Sequence, residues 1–354
     1  MTAEAVVADA PALRRVGAPT FLGVALVALV ATMLTALAVG AIHVPLGDVI
    51  AVIGRRLGLI EGSQVSLRDD QIVWQLRLPR VLGAAATGAG LAMSGVVLQS
   101  LTRNALADPY LLGVSSGATV GAVLVIVLGF AVAGLGGTAM LTVAAFAGAI
   151  AALLAVLALA TDPTGGLPPA RTILAGVAVA QVCAAFTAFV VIVSDQPNAA
   201  HRVLAWTLGS FGGVRWSTAV FLVIVTTVVA VALMFMASDL DAFAFGEHAA
   251  DSLGVNVVLV RWILLILTSL LVAALVANVG AIGFIGLVVP HIARLAIGPL
   301  HLRLLPATAV IGAILAVGAD LIARTIVEGT EVPVGAVTAL VGAPVFAILL
   351  RRQR

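Results

Sequence analysis

The chain is 354 residues long, 62% hydrophobic and 10% charged, with a formal net charge of +2 and a mean hydropathy of +1.23. Soluble domains average roughly 45–50% apolar and about 25% charged residues, so this composition excludes a water-soluble globule and specifies a polytopic membrane protein. All 18 basic residues are arginine, which excludes a P-loop and a lysine Schiff base; the single Cys183 excludes an internal disulfide and a cysteine-held metal cluster.

A transmembrane helix needs about 20 mainly apolar residues. After a polar tail over residues 1–20, spans are expected at Phe21–Ile42, Leu78–Leu101, Leu111–Phe130, Ala139–Ala160, Ile173–Val193, Thr218–Ala237, Trp262–Val279, Phe284–Ile297, Ala307–Ile326 and Val334–Leu350. That gives an all-α membrane protein of about ten helices, one domain over residues 21–352, with both termini on the cytoplasmic side. Residues 43–77 and 194–217 then form outward connections, and residues 238–261 an inward loop. Arginines divide almost evenly between the two sides, a weaker bias than the positive-inside rule expects. So many outward arginines mean either that this topology is wrong or that the outward face is a docking surface for an acidic partner, with Arg55, Arg56 and Arg68 assigned to interfacial snorkelling.

Small residues set the packing. Gly113, Gly117 and Gly121 recur every four residues, and Gly83, Gly88, Gly90 and Gly95 mark the second span, where they would let neighbouring backbones approach closely. Gly280, Gly283 and Gly286 punctuate the eighth.

Polar residues inside a bilayer are costly and mark function. Here they are Gln99, Gln181, Asn278, His291, Arg294, Asp320 and Arg324. Asp320 and Arg324 lie one helical turn apart and can pair. His291, after Pro290, is expected to cap or pack at a helix start. The spans contain no His-x-x-x-His, Glu-x-x-His or carboxylate pair, so no catalytic or metal site is expected. An acidic proton relay would need more than Asp320.

Several ordered stretches carry a specific likeness: Gln75-Leu76-Arg77-Leu78-Pro79-Arg80, Gly88 to Gly95 (GAGLAMSG), Arg103 to Pro109 (RNALADP), Leu112 to Gly117 (LGVSSG), Trp206 to Gly213 (WTLGSFGG), Gly246-Glu247 before Leu253-Gly254, Gly280 to His291 (GAIGFIGLVVPH) and Gly342 to Phe346 (GAPVF). Together they resemble the FecCD-type permeases of ABC importers over about residues 20–352.

That resemblance implies the type II importer architecture: ten helices per subunit, a homodimer around a central pathway, two cytoplasmic ATPase subunits and an extracytoplasmic substrate-binding protein. The cargo it implies is an iron chelate, a ferric siderophore first, with haem or cobalamin as alternatives. It implies no covalent chemistry, no cofactor and no nucleic-acid partner. Arg77, Arg80 and Arg324 match the positions that dock the binding protein. Gly246, Glu247, Leu253 and Gly254 match the coupling segment, where a short amphipathic helix would present charge and a leucine knob to the ATPase. Asn104 and Leu106 match the cytoplasmic gate. Ala105 stands where the family usually has proline, and Pro169-Ala170 where one branch carries a small hydroxyl pair. A proton-coupled secondary transporter and an intramembrane enzyme are the other classes open to a chain of this composition.

Overall fold

The structure, a computed structural model, describes residues 17–59, 65–130 and 136–352. Arg14, Arg15 and Arg354 lie outside these residues, as does most of the expected N-terminal tail. Described residues outside turns and loops are helical, in the order α1 (Ala18–Ala38), α2 (Leu46–Arg56), α3 (Leu67–Gln71), α4 (Leu78–Thr102), α5 (Val114–Ile126), α6 (Gly137–Ala160), α7 (Pro169–Val193), α8 (Ala199–Thr207), α9 (Trp216–Phe235), α10 (Ala237–Phe243), α11 (Glu247–Ser252), α12 (Val257–Val279), α13 (Ile285–Ile297), α14 (His301–Ala323) and α15 (Val334–Arg352). A π-helical segment, Ile72–Arg77, joins α3 to α4, and a 3-10 turn, Pro109–Leu112, precedes α5.

Seven of the described helices are long and apolar enough to cross a membrane, and α5, α13 and most of α15 form shorter apolar helices. α4 is the central element, packed by α1, α9, α12, α13 and α14. Its small residues explain why it can hold so many neighbours. A Cβ on Gly88 would lie 2.1 Å from the carbonyl oxygen of Gly312 in α14, and one on Gly95 would lie 1.9 Å from that of Gly286 in α13. In the α5–α6 pair, a Cβ on Gly121 would lie 1.9 Å from the Ala144 oxygen. At these crossings the helix backbones touch directly, as small-residue packing in membranes allows.

Several expectations change. α1 begins inside the expected tail and ends at Ala38, not Ile42. Gly113 does not continue the Gly117–Gly121 stripe: it sits at φ +71° as the residue preceding α5. Pro290 and His291 fall inside α13 instead of at its start. The expected eighth span is a helix of 13 residues, roughly 20 Å long and too short for a bilayer core of about 30 Å. It begins within the bundle, where Gly286 meets Gly95 and Pro109. Non-helical backbone at such depth is tolerated only inside protein, and it is satisfied here: the Tyr110 hydroxyl donates to the Ile282 carbonyl at 3.0 Å and accepts from the Ile282 N–H at 2.9 Å.

Candidate functional site

The long helix α4 separates two groups of charged side chains. At its N-terminal end the π segment ends on Arg77, the first turn of α4 places Arg80, and the residue closing α14 is Arg324. These three, distant in sequence, line one open pocket with Arg215 and Glu331. A π turn shifts side chains off the register of an α-helix, and here it turns Arg77 towards the end of α1.

The last carbonyls of a helix lack intrahelical partners, and two of the arginines supply them. The Arg77 guanidinium donates to the carbonyls of Leu37 at 2.6 Å, Ala38 at 2.9 Å and Ile42. Arg324 donates to the Ala36 carbonyl. Gly40 makes room for this: a Cβ there would lie 2.7 Å from Arg77 Nη2.

Arg80 is held by carboxylates on both edges. Its Nε donates to both oxygens of Asp320 at 3.0 Å, its Nη2 to Asp320 Oδ1 at 2.9 Å and Glu331 Oε2 at 3.2 Å, and its Nη1 to Glu331 Oε1 at 2.7 Å. The Asp320 side chain is 1% exposed, whereas that of Glu331 is 53% exposed. Asp320 also faces Arg324 Nε, at 3.7 Å, the pairing expected from their spacing; Arg80 is its closer partner.

Beside this pocket, Arg55 and Arg56 of α2 are ion-paired with Asp70 of α3, so the snorkelling expected for them is replaced by a clamp between two short helices. The Arg56 guanidinium, hydrogen-bonded to Asp70, together with Arg55 holds this carboxyl below the usual carboxylate range. Arg56 also lies over the Trp74 ring, 5.7 Å from its centroid, and Trp74 packs on Trp216 with ring centroids 4.9 Å apart.

At the opposite end, residues 237–261 fold as α10 and α11 before entering α12. Gly246 takes φ +97° and Gly254 φ +87°, left-handed conformations that set the corners of this segment. Between them, Glu247 accepts from Arg261 Nη2 at 2.7 Å, while Arg261 Nη1 donates to the Leu167 carbonyl at 3.3 Å. Phe245 is 76% exposed and Leu253 69% exposed, so the segment presents two apolar side chains outward from a charge-anchored base.

Next to it, Arg103 closes α4 in the left-handed region, with φ 50°. The Asn104 side chain then accepts from the Leu106 N–H at 2.9 Å, an Asx turn that leaves Leu106 exposed. Gln99 stands behind this turn, its Nε2 within 3.3 Å of the carbonyls of Ala107, Gly286 and Leu287 and its Oε1 accepting from Arg294 Nη1 at 2.5 Å. His301, the first residue of α14, bridges Asp241 Oδ1 at 2.6 Å through Nδ1 and Ser100 Oγ at 2.7 Å through Nε2. Glu331, Asp241 and the Ser100–His301 contact were absent from the sequence expectations, because their partners lie 60 to 251 residues away along the chain.

Asp70, Asp320, Glu331 and Glu247 are bound to arginines and Asp241 to His301, and among the described residues no group of His, Cys, Asp and Glu side chains is placed to hold a metal ion. What the arrangement offers is a basic, partly occupied pocket at one end and an apolar, charge-anchored surface at the other.

The FecCD transport family matches residues 28–352. The cobalamin import permease of Halobacterium salinarum is 42% identical over 296 residues, covering 84% of this chain and 76% of the relative. The hemin transport permease of Yersinia pestis is 42% identical over 286 residues, covering 80% and 84%. A solved structure described as an inward-facing metal-chelate type ABC transporter aligns with a TM-score of 0.81 at 30% identity, covering 94% of this chain and 99% of that one.

Proposed function

The chain belongs to the FecCD transport family and is the membrane permease of an ABC importer, and from that premise we propose that it forms, with a second copy of itself, the pathway by which a bulky metal chelate crosses the membrane. ATP hydrolysis lies in separate subunits. The basic pocket of Arg77, Arg80 and Arg324 faces outward and receives an acidic surface of an extracytoplasmic binding protein. The segment carrying Gly246, Glu247, Leu253 and Gly254 faces inward and seats on a cytoplasmic ATPase, through the exposed Phe245 and Leu253 as knobs. Asn104 and Leu106 close the cytoplasmic mouth, and both termini lie on that side.

The observation that carries this reading is the division of the charged groups between the two ends of α4: guanidiniums around a solvent-open pocket at one, and a hinged segment with protruding apolar side chains at the other. A proton-coupled carrier would instead need acidic groups free to titrate within the bundle, and Asp320 is held by Arg80.

For the cargo, the names of the relatives favour a metal held in a large ring, cobalamin or haem, over a ferric siderophore. Uptake into proteoliposomes containing the permease, its ATPase and its binding protein, assayed separately with cobalamin, haemin and a ferric siderophore, tests this. ATP-dependent accumulation of a chelate is expected. ATP hydrolysis by the purified permease alone, or uptake driven by a proton gradient without ATPase, would overturn the assignment.

A further inference from the structure

The pocket that is to receive the binding protein already contains a carboxylate. Arg77 and Arg324 spend donors on carbonyls that end α1, and the inner edge of Arg80 is spent on Asp320, which is almost fully buried. Among the ligands of these three guanidiniums, the one that combines negative charge with wide exposure is Glu331, on the outer edge of Arg80. A guanidinium offers a carboxylate two edges for paired hydrogen bonds, and both edges of Arg80 are filled.

The backbone beside Glu331 is tied, Val332 N–H donating to the Ala323 carbonyl at 2.9 Å and Val334 N–H to the Gly209 carbonyl at 3.0 Å, so the part free to swing is the half-exposed Glu331 side chain itself. Glu331 follows Gly329, at φ +76°, and Thr330, in the loop between α14 and α15. Its side chain sits over Gly212, where a Cβ would lie 2.8 Å from Glu331 Oε2. The loop reaches Arg80 through side-chain contacts, so release of the carboxylate needs no change in α4 or α14.

We propose that Glu331 is a resident stand-in for the partner's acidic side chain: it occupies the outer edge of Arg80 in the undocked permease and is displaced when a carboxylate of the binding protein enters. This rests on the docking role proposed above for the basic pocket. The partner's group must then be a carboxylate on a side chain long enough to reach into the pocket, and its affinity is set against an intramolecular competitor.

The test uses the full permease in nanodiscs with its own binding protein. Glu331→Gln keeps the shape and removes the charge; docking is expected to tighten by about two- to fivefold, the range an exposed ion pair contributes. Glu331→Asp, which keeps the charge, should bind close to wild type. In the absence of binding protein, phenylglyoxal should modify Arg80 faster in Glu331→Gln than in wild type, as followed by mass spectrometry, with Arg215 as an internal reference. Unchanged or weaker docking of Glu331→Gln, or equal Arg80 labelling in the two proteins, overturns the proposal. Arg80→Gln separates the two readings. If it leaves docking unchanged, the docking role of the pocket fails; if it weakens docking while Glu331→Gln fails to tighten it, only the stand-in role fails.

Discussion

Glu247 and Arg261, 14 residues apart in the chain, meet at 2.7 Å and fasten the start of α11 to the first turns of α12. Arg261 is nearly buried, its side chain 7% exposed, and lies 5.5 Å from the Phe243 ring centroid. The short segment bearing Leu253 is thus tied to a membrane helix by a side chain with little freedom of its own.

Replacing Glu247 by Arg puts two guanidiniums in contact and releases that tie. Arg261 is nearly buried, so stranding it costs about 3–5 kcal/mol; membrane insertion, set by the apolar helices, should survive. Substrate moved per ATP hydrolysed should fall markedly, measured as the ratio of uptake to phosphate release in proteoliposomes. Uptake at the wild-type ratio would place the ATPase contact elsewhere.

Asp320 is the buried counter-charge to two arginines. Asp320→Ala leaves Arg80 and Arg324 without it, and removing one partner of a buried pair costs about 3–5 kcal/mol. A large drop in the thermal unfolding temperature in detergent is expected. Asp320→Asn, which retains hydrogen-bond acceptance, should fall between this variant and wild type.

Backbone contact at Gly88 allows no side chain. A Cβ there meets the Gly312 oxygen at 2.1 Å and the Ala316 Cβ at 2.6 Å, so Gly88→Ala must push α14 away from α4, at a cost of about 1–3 kcal/mol for overpacking. Gly23→Ala in α1, where nothing lies within 4 Å, is the matched control and should unfold at or slightly above the wild-type temperature.

The clamp between α2 and α3 should be sensitive to acid. The folded state lowers the Asp70 carboxyl below its unfolded value, so its contribution is fully present above the ordinary carboxylate pKa of about 3.9 and is lost as pH falls through the lowered folded value. Protection of the α2 amides from hydrogen exchange, taken relative to the intrinsic rate at each pH, should fall in wild type at the acidic end. In Asp70→Asn protection should be low already at neutral pH and change less on acidification. Parallel pH profiles for the two proteins would contradict this.

Much of the architecture is written locally and was readable for that reason. A run of apolar residues specifies a spanning helix whatever surrounds it, and the small residues of α4 mark a crowded helix before its neighbours are known. The turns of the segment between α10 and α12 are marked in the sequence by Gly246 and Gly254, which occupy left-handed corners. Other features are not local. Arg80 finds Asp320 across 240 residues, and Arg55 and Arg56 look like interfacial arginines until the fold brings Asp70 beneath them. Hydropathy also registers apolar runs without showing where the helix within them begins, so it cannot separate a full-length spanning helix from one of 13 residues such as α13.

The Ser100–His301–Asp241 chain has a mechanical consequence. It works as a tie rod anchored in three helices: α4 near its last turn, α14 at its first residue, and α10. A side chain so enclosed, His301 being 5% exposed, cannot swing to follow a moving neighbour. A shift of α10 by more than the slack of a hydrogen bond must therefore either pull the ends of α4 and α14 with it or part the rod at one of its two joints. Four residues beyond Ser100 the chain reaches Asn104, so a push delivered at α10 can reach that turn through the imidazole of His301 as well as through the direct packing of α10 on α4.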